Sequence, residues 1–390
     1  MAQKIDLKKI TAIDLFAGAG GFSLAAHNQG LDILAAVELD PDACKTYTNN
    51  IINKRSPRTK LYEGDIQQID PKKIMTDTKI KSGQLDLLMG GPPCQGFSSH
   101  RLNGKGIDDP RNNLLLRYFD FVKEFMPKIF LIENVPGILW PRHKNYLDNF
   151  KRLANSAGYS VFSPVRLNAK DFGVPQNRIR VFILGIQRDY SSCGIIWPPE
   201  PTHFKPGVGY PEWKNASEVF EKPDDKFISK LKSVLGENVV RNLTFSPNAM
   251  KASDPSLIHM NHTAPMKQRI ENTPINGSRR DSGYVLECHK DHNGHKDVYG
   301  RIKLAQPGPT MTTGCYNPSK GRFLHPWENH GITARHAARF QSFPDDYVFS
   351  GGITSQGKQI GNAVPVNLGE KLIQTIADEI RKMSGKNYYE

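Results

Sequence analysis

One cysteine stands out for its setting. The run Gly90-Gly91-Pro92-Pro93-Cys94-Gln95-Gly96-Phe97-Ser98-Ser99 holds Cys94 behind two prolines, among Gly, Pro and Ser rather than core residues. An isolated cysteine is usually a small buried hydrophobe, but this segment lacks the apolar neighbours that role needs. A thiolate here is placed for nucleophilic attack, and no histidine placement argues for a thiol protease. A carboxyl follows in Glu133-Asn134-Val135-Pro136, and it lies beside Cys94 if the two strands that deliver them are neighbours. Further on, Gln176-Asn177-Arg178-Ile179-Arg180 sets two arginines two apart, on one face of an extended chain. That face can hold a charged substrate or Glu133 itself.

A second group of residues reads as a ligand pocket. Asp14-Leu15-Phe16-Ala17-Gly18-Ala19-Gly20-Gly21-Phe22-Ser23 has the glycines for a tight turn into a helix N-terminus. It is not the dinucleotide G-x-G-x-x-G, because the third glycine directly follows the second. Glu38 ends the next apolar run, where an acid meets the two hydroxyls of a ribose. Asp65, after the following short strand, can accept from an adenine amino group. Together these describe a nucleoside pocket with no pyrophosphate cradle, which favours S-adenosylmethionine over NAD.

These residues need strand ends to stand on. Thr11–Phe16, Ile33–Leu39, Leu85–Gly90, Lys128–Glu133, Tyr159–Leu167 and Arg180–Ile186 read as buried strands. Gly21–Gln29, Pro41–Asn50, Asn112–Phe125 and Lys144–Ala157 carry helical spacing between them. One-helix crossovers predict an α/β class, doubly wound parallel sheet, with ligands gathered at the carboxyl ends of its strands. Ser98–Arg111 reads as a loop that closes over the site. After Ile186 the pattern changes to a Pro- and Gly-dense, loop-rich lobe, and a last helix runs from about Val366 to Met383. The expected division is a catalytic domain of residues 1–190 and 353–390 around a second domain of residues 191–352.

The 390 residues hold 52 Lys+Arg against 39 Asp+Glu, an excess of 13 positive charges. A polyanion is the natural partner for such a chain, with a merely soluble basic protein as the plain alternative. Much of the charge falls in the lobe, as Lys267, Arg269, Arg279 and Arg280, then Arg301, Lys303, Lys320 and Arg322, interleaved with Thr, Asn, Gly and Tyr. No apolar run nears the roughly 20 residues of a membrane span, and the N-terminus carries no secretory pattern. Five scattered cysteines (Cys44, Cys94, Cys193, Cys288, Cys315) without C-x-x-C fit a reduced, cytoplasmic setting rather than a disulfide framework. Cys288 with His289, His292 and His295 lacks the paired spacing of a zinc site, so no metal is expected.

Taken in order, DLFAGAGGFS, VELD, GDI, GGPPCQGFSS, ENV, QNRIR and GNAV resemble the DNA cytosine-5 methyltransferase family of bacterial type, over almost the whole chain. The resemblance implies a doubly wound mixed sheet of the S-adenosylmethionine-dependent methyltransferase fold with a smaller target-recognition domain. It implies catalytic roles for Cys94, Glu133, Arg178 and Arg180. Cofactor contacts fall on Phe16, Gly18, Gly20, Gly21, Glu38, Asp65 and Pro92, and on Asn362 and Val364 of Gly361-Asn362-Ala363-Val364. Ser98, Ser99, Arg279, Arg280, Arg301, Lys320 and Arg322 are the expected DNA contacts. Thr310–Gly314 and Thr333–Tyr347 resemble the segments that frame the recognition region. One departure concerns His336, where the family often has Glu, which puts a local ion pair in question. The implied partner is double-stranded DNA, bound by a monomer, with a cognate restriction endonuclease as functional counterpart. A tRNA-methylating branch of the family and a catalytically silent DNA-binding module are the alternatives.

Overall fold

The computed structural model describes residues 9–93, 113–283 and 297–386. Cys94, Ser98, Ser99 and the rest of the expected closing loop lie outside these residues, as do Cys288, His289, His292 and His295. The chain forms two units: Met1–Leu167 with Ile179–Glu200 and Gly369–Glu390, and Asn168–Arg178 with Pro201–Leu368. Residues 168–178 and 353–368, expected in the first domain, group with the second.

The first unit alternates β1 (Thr11–Leu15), α1 (Gly21–Asn28), β2 (Asp32–Glu38), α2 (Pro41–Tyr47), β3 (Lys60–Glu63), α3 (Pro71–Thr78), β4 (Leu87–Gly90), α4 (Asn113–Phe125), β5 (Ile129–Asn134), α5 (Lys144–Ser156), β6 (Tyr159–Val161), β7 (Val165–Asn168) and β8 (Ile179–Gln187). Local chemistry starts the helices. Asp40 caps α2 by accepting from Asp42 N and Ala43 N, Asp70 caps α3 by accepting from Lys72 N, and each is followed by proline at the first helical position. Strands β4 and β5 are buried along their whole length, as strands covered on both faces must be.

The sheet order is β3-β2-β1-β4-β5-β8-β6, with β7 also paired to β8. Pairs β1–β2, β1–β4, β2–β3 and β4–β5 are parallel. Strand β8 runs antiparallel to β5 and β6, so the sheet is mixed rather than purely parallel. No crossover helix precedes β8, and a parallel return needs a connection of about a dozen residues or more. The expected single strand Tyr159–Leu167 is two, β6 and β7, with Pro164 between them unable to donate to a ladder.

Packing sets the register. Phe130 of β5 pairs with Gly185 of β8, and a Cβ on Gly185 would come within 2.1 Å of the Phe130 ring. The glycine makes room for the ring, which meets Tyr118, Phe150 and Tyr159 at centroid distances of 5.2–6.5 Å. At the opposite edge from the strand ends, Asp86 accepts from Thr11 N and Oγ1 and pairs with Lys128 Nζ at 2.7 Å, tying the starts of β1, β4 and β5.

The second unit has few paired strands. Its helices are α6 (Asp225–Leu235), α7 (Glu237–Arg241), α8 (Ala264–Asn272), α9 (Ala334–Phe340) and α10 (Ile353–Asn362), and it holds the first residues of α11 (Val366–Lys386), which continues into the first unit. Phe220 sits at its centre, with His325, Trp327, His336 and Phe340 around it at ring distances of 4.6–6.0 Å. Helix α9 opens with a capping box in which His336 takes the acidic position: Thr333 N donates to His336 Nδ1 and His336 N donates to Thr333 Oγ1. The ion pairs of this helix use other partners, Arg335 with Asp254 and Arg339 with Glu221 and Asp345. Among the described residues, no helix is long and apolar enough to cross a membrane.

Candidate active site

Strand register lines up the expected site residues of the first unit. Leu15 pairs with Val37 and Gly90, and Gly90 pairs with Ile132. The next residue on each strand is therefore Phe16, Glu38, Gly91 and Glu133, in one row along the carboxyl edge. Gly64 N donates to Glu38 O at 2.8 Å, which brings Asp65 to the same edge, exposed.

The turn after β1 needs unusual backbone. Phe16 has φ 59°, Gly18 φ 57° and Gly20 φ 91°, left-handed values that cost little only for glycine. The turn is tied down by Ala17 N to Val37 O and by Gly20 N to Ala17 O. Glu38 fastens it from the side, accepting from Gly18 N at 2.7 Å on one oxygen and from Asp40 N at 2.8 Å on the other. Each carboxylate oxygen keeps a second lone pair for a hydroxyl donor. Leu39 beside it is 65% exposed, an apolar platform at the lip. Acid, platform and glycine turn leading into α1 fit a nucleoside carrying no diphosphate.

A feature not anticipated lies beneath this turn. Asp14 is fully buried and accepts from Ser23 Oγ at 2.7 Å, and Ser23 Oγ lies 2.8 Å from Tyr47 Oη. Burial pushes the Asp14 carboxyl up to about 7, against the Ser23 hydrogen bonds, with Glu38 adding to the rise. The only sequence signal was an acid inside an apolar strand.

Glu133 and Arg180 form the charged centre. Arg180 Nε lies 3.0 Å from Glu133 Oε1, and both side chains are largely buried. Burial lowers the pKa of Arg180 from its ordinary value, and Glu133 counters this. Asn134 Nδ2 donates to Pro92 O at 3.3 Å, tying the buried Pro92, just ahead of Cys94, to the Glu133 strand. A Cβ on Gly91 would stand 3.2 Å from Glu133 Oε2, so the glycine leaves room over that carboxylate. Among the described cysteines, Cys44 and Cys315 are buried free thiols, each pushed up to about 12 by desolvation, poor nucleophiles at neutral pH.

Arg178 and Arg180 have different partners. Arg178 belongs to the second unit, where Nη1 donates to Met311 O at 2.8 Å and Nη2 to Gly361 O and Ala363 O at 2.8 and 3.0 Å. Asn362 is exposed and Val364 buried in the same unit.

Three of the five described residues expected to contact DNA, Arg279, Arg301 and Arg322, are turned inward. Arg301 is buried and donates to Thr273 O, Ile270 O, His325 O, Glu328 O and Asn329 Oδ1. Arg322 donates to Asp297, Asn276 O, Gly277 O and Arg301 O. Arg279 is buried in a short turn, and Arg269 lies over the Tyr299 ring. The Arg301 and Arg322 guanidiniums tie loop carbonyls together where the second unit has little regular strand pairing to do so. Arg280, Lys320 and Lys267 are exposed.

Comparison with known proteins gives a consistent picture. The family model described as C-5 cytosine-specific DNA methylase matches residues 10–378. Type II methyltransferase M.DdeI of Desulfomicrobium norvegicum is 33% identical over 94% of this chain and 88% of its own length. Type II methyltransferase M1.HphI of Haemophilus parahaemolyticus is 33% identical over 96% and 87%. M.AgeI of Thalassovita gelatinovora is 30% identical over 93% and 98%. Among solved structures, a prophage-encoded protein of E. coli described as a DNA modification methyltransferase shares the fold with TM-score 0.69 at 23% identity, over 96% of this chain and all of that one. Spodoptera frugiperda DNMT2 does so with TM-score 0.57 at 18%, over 95% and 100%.

Proposed function

The chain belongs to the C-5 cytosine-specific DNA methylase family, and from that premise we propose that it methylates C5 of a cytosine within a short duplex sequence through a covalent adduct on Cys94. The observation that carries the reading is the buried Glu133–Arg180 pair, on the strand end that Asn134 ties to Pro92.

S-adenosylmethionine, when bound, supplies the methyl group on a sulfonium. Phe16, Gly18, Gly20, Gly21, Glu38, Asp65 and Pro92 bind it in this reading, together with Asn362 and Val364. Glu38 is the ribose acceptor, and its two backbone donors hold it ready.

Cytosine C5 is a poor nucleophile inside an aromatic ring. The Cys94 thiolate adds at C6, breaking the aromaticity and leaving an enamine whose C5 takes the methyl group. Glu133 hydrogen-bonds N3 and the exocyclic amine where charge develops, and Arg180 keeps that carboxylate oriented. Loss of the C5 proton and departure of the Cys94 sulfur from C6 restore the ring. The base must leave the helix to be reached, at a cost of a few kcal/mol. A restriction endonuclease cutting the same sequence is the functional counterpart in this reading.

Duplex DNA carrying 5-fluorocytosine tests it, since fluorine cannot leave C5 as a proton does. A covalent complex stable to denaturation is expected, and it is lost in Cys94→Ser. Cofactor binding without an adduct on any DNA would leave a silent binding module, and an adduct on tRNA alone would name the other substrate. Bisulfite sequencing of DNA from expressing cells then reads out the recognised bases.

A further inference from the structure

The last turn of α10 is held from outside by three buried side chains. A helix leaves its last carbonyls without intrahelical partners. Here Arg178 Nη2 takes those of Gly361 and Ala363, and Gln341 Nε2 takes those of Ile360 and Ala363 at 2.6 and 3.0 Å. Gln176 joins the group by donating to Gln341 Oε1 and Phe340 O at 2.9 Å and accepting from Met311 N at 2.7 Å. The second Arg178 nitrogen, Nη1, holds Met311 O. Arg178, Gln176 and Gln341 are at most 1% exposed.

Helix α10 lies hard against the facing backbone. A Cβ on Gly361 would come within 2.3 Å of the Thr312 carbonyl carbon, and one on Gly357 within 2.6 Å of the Tyr316 ring. The backbone on both sides of residue 362 is thus fixed by carbonyl contacts and close packing, while Asn362 itself is exposed. An exposed polar side chain on a locked backbone is the arrangement of a ligand contact held in place beforehand.

We infer that Arg178 is a positioning residue, which acts through the carbonyls of Gly361 and Ala363 to present Asn362 and does not touch the reacting base. The inference rests on the reading of Asn362 and Val364 as cofactor contacts. It divides the QNRIR segment: Arg180 serves Glu133, and Arg178 serves the segment 361–364. A planar guanidinium reaches three carbonyls at once, and a lysine ammonium at that site cannot reproduce the fork.

Calorimetric titration with S-adenosylhomocysteine, beside steady-state methyl transfer, tests this. Arg178→Lys is expected to weaken binding about tenfold, with the loss on KM for the cofactor and kcat changed by less than about twofold. Asn362→Ala is expected to weaken binding similarly, and the double variant to lose little more than either single one, because both remove the same contact. Full additivity would overturn the inference, as would Arg178→Lys binding normally while losing kcat. If Arg178→Lys does not fold, Gln341→Met serves instead. It removes one of the two donors held by the Ala363 carbonyl, together with the donor to Ile360 O, and about threefold weaker binding is expected; unchanged binding would show that holding these carbonyls does not present Asn362 and would overturn the inference. Failure of the unmodified protein to bind S-adenosylhomocysteine would sink the functional reading itself, an outcome distinct from the others.

Discussion

Glu133 and Arg180 meet across the antiparallel seam of the sheet, Arg180 Nε 3.0 Å from Glu133 Oε1, on two strands locked together from Ile129–Ile186 to Asn134–Val181. Breaking one member of such a pair leaves the other charge buried without compensation. Glu133→Gln keeps the shape and removes the charge. Single-turnover methyl transfer is expected to fall by a factor of about 10² or more, with S-adenosylhomocysteine binding within about twofold of the parent. A variant that turns over normally would remove Glu133 from the chemistry.

Gly90 of β4 lies hard against its neighbours. A Cβ there would stand 2.5 Å from Leu15 O and 3.0 Å from the Tyr118 ring. Backbone cannot yield as a flexible side chain does, so Gly90→Ala is expected to cost about 1–3 kcal/mol. The denaturation midpoint in urea should drop accordingly, and an unchanged midpoint would mean that β1 and β4 part more easily than their register implies.

Basic residues of the second unit separate into two kinds with opposite signatures. Arg280→Ala and Lys320→Ala, at exposed positions, are expected to leave stability unchanged and to flatten the salt dependence of DNA binding by about one phosphate each. Arg301→Ala strips donors from buried carbonyls and should lower the melting temperature instead. A normal melt for Arg301→Ala combined with a flatter salt slope would reverse the assignment.

Asp14 carries a pH signature of its own. Its carboxyl sits at about 7 in the fold against an ordinary 3.8. Below 3.8 it is protonated in both folded and unfolded chains. Between 3.8 and about 7 the unfolded chain has ionised while the fold retains the proton, so stability falls as pH rises and the contribution is gone above about 7. Asp14→Asn cannot ionise and still accepts from Ser23. Its stability relative to the parent should climb across that window, as read from urea unfolding at pH 5, 6, 7 and 8. A flat difference would show that Asp14 is ionised in the fold throughout.

What could be read in the chain and what could not follows the range of the interactions. The apolar strand runs are local patterns, so the sheet can be read from them, and its register sets Glu38 and Glu133 in one row at the edge that Asp65 also reaches. Spacing along an extended chain does not say where the chain turns next, so it gives no sign of the Arg178 partners, which lie more than 130 residues away. The internal partners of Arg301 and Arg322 are hidden from the sequence for a related reason. A basic loop reads alike whether its guanidiniums face phosphates or backbone carbonyls, and only the tertiary fold shows which acceptors are within reach. Asp14 was passed over because a buried acid looks like any other interruption of an apolar strand.

A single residue separates the two arginines, and β8 begins between them, at Ile179. Side chains along a strand alternate between faces, so a shift of one position turns each of them over. A one-residue slip of β8 against β5 would therefore turn Arg180 to the other face of the sheet and strip Glu133 of its counter-ion. Anyone redesigning this chain has no latitude in the register of β8 against β5.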